Sequence, residues 1–365
     1  MTSQAPTPTE EAAGTHEVPA DSCVRIQPLD DAIKLGASDI IIPEKGPITY
    51  RTAKGLPKGR SVSSSEFAAL AALTGACITD DNPEPIGAFE YAGARWRFIH
   101  YQNIRGKVFQ LRHIPQRRFP IEQLRLPPEF LKLIVKERGI IFITGPTGSG
   151  KSTTLAATID YLNRTVEKNI VTLEDPVEHV FQDDKCSILQ QEHGTTFKRW
   201  DKALERLLRK DPDVIVFGEL RAVEVIEAAI TAAATGHLVL ATLHTSDAPG
   251  TIIRLTDALK GHGADLLSKL ADSLLGVLAQ QLVPTIPAKG GPGRVPAYEL
   301  LIKTDAVANI IRQATPQHIK NEINLGAGVG MVPMNRSLAA LVKEGFITRH
   351  TAAAKSFDPK TLNLE

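Results

Sequence analysis

The sequence predicts an α/β protein: a P-loop domain with a parallel, doubly wound sheet, preceded by a smaller α+β domain. Two observations carry this. Residues 145–153 read Gly-Pro-Thr-Gly-Ser-Gly-Lys-Ser-Thr, entered from the apolar run Ile140-Ile141-Phe142-Ile143 and left through a helix-forming stretch at 152–162. From residue 131 onward, short apolar runs alternate with helical patterns, and parallel strands need such helices as crossovers. Residues 21–115 instead show short, mixed signals.

In chain order, residues 1–20 are rich in Pro, Thr, Glu and Ala and lack a charged-then-apolar leader pattern; they read as a disordered tail. Ile40-Ile41-Ile42 reads as a strand, and 61–75 as a helix that Ser63 or Ser64 can cap. The runs 95–101 and 107–112 flank a Gly-containing turn, which suggests antiparallel strands. Residues 116–128 follow Pro115 and hold prolines and arginines, as an interdomain linker would. The second domain then spans 129–365, with strands at 140–143, 169–173, 214–217 and 238–243 and helices at 152–162, about 198–209 and 222–234. Beyond Gly261 a mostly helical part is expected, interrupted by the Pro- and Gly-rich residues 284–296.

Composition narrows the function. Forty-two basic against 41 acidic residues give a net charge of +1, so no bulk polyanion-binding surface is indicated and direct nucleic-acid binding is not expected. Cys23, Cys77 and Cys186 are far apart and odd in number, which suggests neither a disulfide framework nor a metal cluster. Spanning a bilayer takes about 18 consecutive apolar residues, and no run approaches that. A cytoplasmic protein with at most peripheral membrane association is expected.

The chemistry concentrates around the P-loop: Gly145, Pro146, Thr147, Gly148, Ser149, Gly150, Lys151, Ser152 and Thr153. Glycines let backbone N–H groups curl around a phosphate, a lysine reaches the β- and γ-phosphates, and a serine hydroxyl ligates Mg²⁺. The helix beginning near Ser152 aims its positive end at the same place. ATP with Mg²⁺ is therefore the expected ligand pair. Hydrolysis further needs carboxylates at the carboxyl ends of neighbouring strands. Glu219 follows Val214-Ile215-Val216-Phe217 directly and is the Walker-B-type acid, a second candidate for the Mg²⁺ shell; Glu174 and Glu178 close the strand at 169–173 and are candidates for water activation. His237 and His244 flank 238–243, about 23 Å apart at about 3.3 Å per residue, so only His244 lies on the nucleotide side.

These boxes, in this order, resemble the secretion-ATPase superfamily of type II and type IV secretion and type IV pili, most closely its PilT-like branch. The P-loop is followed by Leu173-Glu174-Asp175-Pro176-Val177-Glu178, by Gly218-Glu219-Leu220-Arg221 and by Thr235-Gly236-His237 through His244-Thr245. Ala37-Ser38-Asp39, the stretch 278–284 and Gly330-Met331-Val332-Pro333-Met334-Asn335 extend the likeness over about residues 30–348. The resemblance implies a PAS-like N-terminal domain, a RecA-like ATPase domain and a homo-hexameric ring. It also implies arginines of the N-terminal domain near the phosphates, and Arg97, Arg105 and Arg112 fall in the matching region. Ala222 stands where the family usually has Asp, and the helix at 306–312 lacks the first of two arginines found in pilus retraction motors. With the Pro-rich N-terminal stretch, these departures look more like DotB-like and TraJ-type ATPases. The expectation is thus a motor for a type IV (IVB) secretion or plasmid conjugation apparatus, working with its components at the inner face of a bacterial inner membrane. A pilus retraction motor and a nucleotide-regulated assembly platform are the alternatives.

Overall fold

The computed structural model describes residues 25–52, 54–114, 119–261, 264–286 and 293–363. The expected tail at 1–20 and Cys23 lie outside the described residues. The chain forms two compact units, one of residues up to Pro85 with Phe98–His113, the other of Ile86–Arg97 with Ile114–Glu365.

The described chain begins with α1 (Gln27–Leu35), β1 (Asp39–Pro43), β2 (Pro47–Arg51), β3 (Lys58–Ser61) and α2 (Ser64–Thr74), and β4 (Ile86–Tyr91), β5 (Ala94–Asn103) and β6 (Gly106–Ile114) complete one sheet in the order β3-β2-β1-β6-β5-β4. Helix α2 starts at Ser63, whose hydroxyl accepts from the Glu66 amide while Glu66 reaches back to the Ser63 amide. This reciprocal cap satisfies two otherwise unpaired donors. Ile40, Ile42, Ile48, Trp96, Phe109 and Leu111 are fully buried on this sheet.

The second unit carries α3 (Pro128–Leu133), β7 (Gly139–Thr144), α4 (Lys151–Thr165), β8 (Asn169–Glu174), β9 (Ser187–Glu192), α5 (Trp200–Leu207), β10 (Val214–Phe217), α6 (Val223–Ala234), β11 (Leu238–Leu243), α7 (Ala248–Leu259), α8 (Ala264–Ser273), β12 (Leu274–Pro284) and β13 (Arg294–Ile302). Four shorter helices follow: α9 (Asp305–Arg312), α10 (Ile319–Leu325), α11 (Met334–Lys343) and α12 (Arg349–Lys355). The sheet order is β13-β12-β7-β11-β10-β8-β9. Every neighbouring pair is parallel except β12 with β13. Strands β7, β10 and β11 are buried at every position, as expected of a sheet covered by helices on both faces.

Three features were not anticipated. Within the largely helical part after Gly261, β12 and β13 form an antiparallel hairpin that extends the sheet beside β7. Strand β12 is apolar on both faces, so it lacks the alternation that marks a half-buried strand. Strand β9 was not expected at all, because Ser-Ile-Leu-Gln-Gln-Glu is short and mostly polar. The proposed linker is not an open connection either. Its residues 116–118 lie outside the described residues, but Ile121, Leu124 and Leu126 are buried among Phe130, Leu155 and Leu162 of the second unit. Their apolar side chains are part of that core.

Candidate active site

Strand β7 delivers the chain into the P-loop and α4 leaves it, with Gly150 as the helix N-cap. Gly145 has φ +148°, and a Cβ there would lie 2.3 Å from the Gln280 carbonyl oxygen and 2.5 Å from Ser149 Oγ. Only glycine fits such a turn against the neighbouring strand. Gln280 of β12 supports the loop, its buried Nε2 donating to the Ser149 carbonyl at 2.8 Å. Sequence reasoning missed Gln280. The available signal was the pair Gln280-Gln281 inside a mainly apolar run, because a buried polar side chain must find a partner.

Lys151 is buried, and its Nζ donates to the carbonyls of Gly145 (2.8 Å) and Pro146 (3.2 Å). The ammonium also lies 3.3 Å from His244 Nδ1. On the far side of that ring, Nε2 is 3.3 Å from Glu219 Oε1, while Glu219 Oε2 pairs with Arg221 at 2.9 Å. Lys151, His244, Glu219 and Arg221 thus form one contiguous row at the carboxyl edge of the sheet. Burial lowers the Lys151 ammonium from its ordinary range, opposed by the charges of Glu219 and Glu178. Burial acts to raise the Glu219 carboxyl, but Arg221 and His244 outweigh it and hold it below the usual carboxylate range. Glu219 therefore stays ionised beside the P-loop.

His237, at the start of β11, sets its Nδ1 2.9 Å from the Ala232 carbonyl at the end of α6. That is a helix-to-strand packing role, away from the nucleotide edge.

Glu174 ends β8, next to Glu219 across the sheet. Gly218 makes this approach possible: a Cβ there would lie 3.2 Å from Glu174 Cα. Most of the Glu174 carboxyl is enclosed although one edge stays accessible, and burial pushes it up to about 7 against the donors that hold it. Thr172 Oγ1 donates to Oε1 at 2.7 Å and Gln190 Nε2 to the same oxygen at 3.2 Å. The acidic box continues through the cis peptide Asp175–Pro176 to Glu178, whose charge faces Lys151. Its backbone is tied by side chains. Glu192 Oε2 accepts from the Val177 amide at 3.0 Å, and Arg95 Nε donates to the Val177 carbonyl at 2.7 Å while its Nη2 pairs with Glu192.

Of the three candidate arginines, Arg112 donates to Asp39 Oδ1 at 2.8 Å, a pairing inside the first unit's sheet. Most of the Arg112 side chain is nonetheless exposed. Arg105 is exposed at the turn between β5 and β6, and Arg97 is half-buried on β5. Two other arginines reach the acidic box: Arg221, on Asp175, and Arg95, two residues before Arg97, which sequence reasoning did not single out.

Ser152 sits exposed in the first turn of α4, next to Lys151. Its hydroxyl and the Glu219 carboxylate are hard oxygen donors of the kind Mg²⁺ prefers. Among the described residues, no group of three His, Cys, Asp or Glu side chains could hold a metal by itself. The donor set therefore fits an ion that binds jointly with phosphate oxygens.

A family model described as type II/IV secretion system protein matches residues 104–327. The chain belongs to this family. It is 40% identical over 275 residues to the type IV pilus retractation ATPase PilT of Pseudomonas aeruginosa, covering 75% of this chain and 79% of that protein. The crystal structure of the pilus retraction motor PilT with bound ADP superposes with a TM-score of 0.80 at 36% identity, covering 92% of this chain and 98% of the other. The X-ray structure of the Legionella pneumophila ATPase DotB gives a TM-score of 0.77 at 26% identity, covering 89% and 93%. This secretion ATPase is an ATP-hydrolysing enzyme with an N-terminal and an ATPase domain in the PilT- and DotB-like fold. Among the described residues, no helix is long and apolar enough to cross a membrane.

Proposed function

We propose that this chain is a hexameric motor that hydrolyses ATP to withdraw a pilus-like fibre at the cytoplasmic side of a bacterial inner membrane. The expected preference for a IVB secretion or conjugation apparatus gives way here to the retraction alternative. Both the 40% identity to a retraction ATPase and the 0.80 superposition on a retraction motor favour it over the 26% likeness to DotB. The missing first arginine in 306–312 is the feature that favours secretion; Arg312, the arginine that remains, pairs with Asp272.

The observation that carries the chemistry is the row Lys151–His244–Glu219, which joins the P-loop to an ionised acid. In this reading the loop 145–153 holds the phosphates of ATP, and Lys151 turns from the Gly145 and Pro146 carbonyls toward the β- and γ-phosphates. Ser152 and Glu219 hold Mg²⁺, which neutralises charge developing on the phosphates. Glu174 orients the attacking water, with Glu178 nearby. His244, placed between Lys151 and Glu219, senses the γ-phosphate. Arg97, Arg105 or Arg112 supplies the arginine charge expected from the N-terminal domain.

The test is made in the host. Deleting the gene should leave fluorescently labelled surface pili extended, and wild-type but not Lys151→Ala protein should restore withdrawal. Pilus withdrawal that continues without the gene overturns the retraction reading. Loss of protein export or plasmid transfer in that strain then identifies the secretion or conjugation alternative.

A further inference from the structure

We propose that Gln190, on the edge strand β9, is a positioning residue for hydrolysis: its carboxamide clamps the acidic box and fixes the orientation of the Glu174 carboxylate toward the attacking water. The inference rests on Glu174 being the group that orients that water.

Strands β8 and β9 pair in parallel with Thr172 opposite Gln190 and Glu174 opposite Glu192. Side chains two apart on a strand share a face, so Thr172, Glu174, Gln190 and Glu192 project from the same side of the sheet. Both ends of the Gln190 amide are used. Nε2 donates to Glu174 Oε1 at 3.2 Å and to the His179 carbonyl at 2.8 Å, and Oε1 accepts from the Phe181 amide at 2.8 Å. One side chain therefore bonds the acid itself and two later points on the segment that leads away from it. Thr172 Oγ1 donates to the same Glu174 oxygen at 2.7 Å. Two donors converging on one oxygen set the plane of the carboxylate and stabilise its ionised form.

That second effect separates orientation from mere bracing of the loop. Glu174 lies in a charged neighbourhood: Glu178 and Asp175 on the same segment, Glu192 and His193 at the end of β9, and Glu219 and Arg221 after β10. Most of these are paired. Asp175 lies 3.4 Å from Arg221 and 4.0 Å from His193, Glu192 pairs with Arg95, and Glu219 with Arg221 and His244. Glu178 and burial oppose ionisation of Glu174, whereas Thr172 and Gln190 favour it. Removing the Gln190 donor shifts that balance toward the protonated acid, which cannot accept a proton from water.

The experiment measures Mg²⁺-dependent ATP hydrolysis by the full chain from about pH 6 to about pH 9, for wild type, Gln190→Met and Glu174→Gln. Gln190→Met should lower kcat about tenfold near neutral pH while KM for ATP changes less than about twofold. Its acidic limb should move up by about half a pH unit or more, so that the rate partly recovers in alkali. Gln190→Asn, whose amide falls one methylene short, should show the same displacement and serves if the Met variant does not fold. A wild-type profile in the Gln190 variants, or a uniform fall at every pH with the limb unmoved, overturns the inference and leaves Gln190 as a loop brace. If Glu174→Gln itself turns over at the wild-type rate, the assignment of Glu174 fails, and the role of Gln190 falls with it.

Discussion

The P-loop and the acidic box lie at the same edge of one sheet and are built by different means. The P-loop is a backbone device: glycine conformations, a helix N-terminus and a lysine bonded to two carbonyls of its own loop shape it within nine residues, with Gln280 and His244 touching it from outside. The acidic box is a side-chain device. Its acid and its loop are placed by Gln190, Glu192 and Arg95, drawn from a neighbouring strand and from a residue 97 positions away from its partner Glu192. A backbone cradle suits a ligand met the same way every cycle. A side-chain scaffold can tune the protonation state of the acid it holds: burial raises Glu174 to about 7, and the Thr172 and Gln190 donors oppose that rise.

Substitutions can break this contrast in order of size. Lys151→Ala should remove hydrolysis by about a thousandfold or more while leaving the fold intact, because it deletes the charge aimed at the phosphates; steady-state assays and circular dichroism check both parts. Glu219→Gln should cost about a hundredfold or more in kcat yet leave nucleotide affinity nearly unchanged, measured with a fluorescent ATP analogue. Pilus withdrawal that survives this variant would instead support an assembly platform. Arg95→Met should destabilise the protein by about 3 kcal/mol, since it leaves the buried Glu192 without its cation; a thermal midpoint unchanged from wild type would place the pair among weak surface bridges. Gln280→Leu should weaken ATP binding about tenfold with little effect on kcat, as the Ser149 carbonyl loses a buried donor. A larger loss in kcat than in affinity would show that the P-loop, too, depends on side chains for its chemistry. Acid should inhibit turnover as pH falls through about 7, because the folded Glu174 then takes up a proton; a rate level to about pH 5 would count against Glu174 as the water-orienting group.

This contrast also explains what was readable in advance. The P-loop, β10 and β11 follow from local pattern: apolar runs that end in glycine, acid or histidine, with little dependence on distant partners. Glu174, Glu219 and His244 were found because each closes such a run. Strand β12 escaped because it follows α8 with no turn residue between them, so its apolar run reads as more helix, and β9 because an edge strand needs only one apolar face. The braces were hidden for a related reason. Glutamine and glutamate in a strand look like solvated residues until the partner is known, and Gln280 finds its partner 131 residues away in sequence. The arginines were read from a family resemblance that marks a region, and the resemblance did not point to Arg95, which holds the Val177 carbonyl and Glu192.

Gly218 has a consequence of another kind. With no side chain between β10 and Glu174, the strand end that carries Glu219 lies against the strand end that carries Glu174. The gap between the two acids is thus gauged by the width of a bare backbone. A single methyl at this position would act as a spacer, prising the acids apart by a few tenths of an ångström while leaving every charge in place.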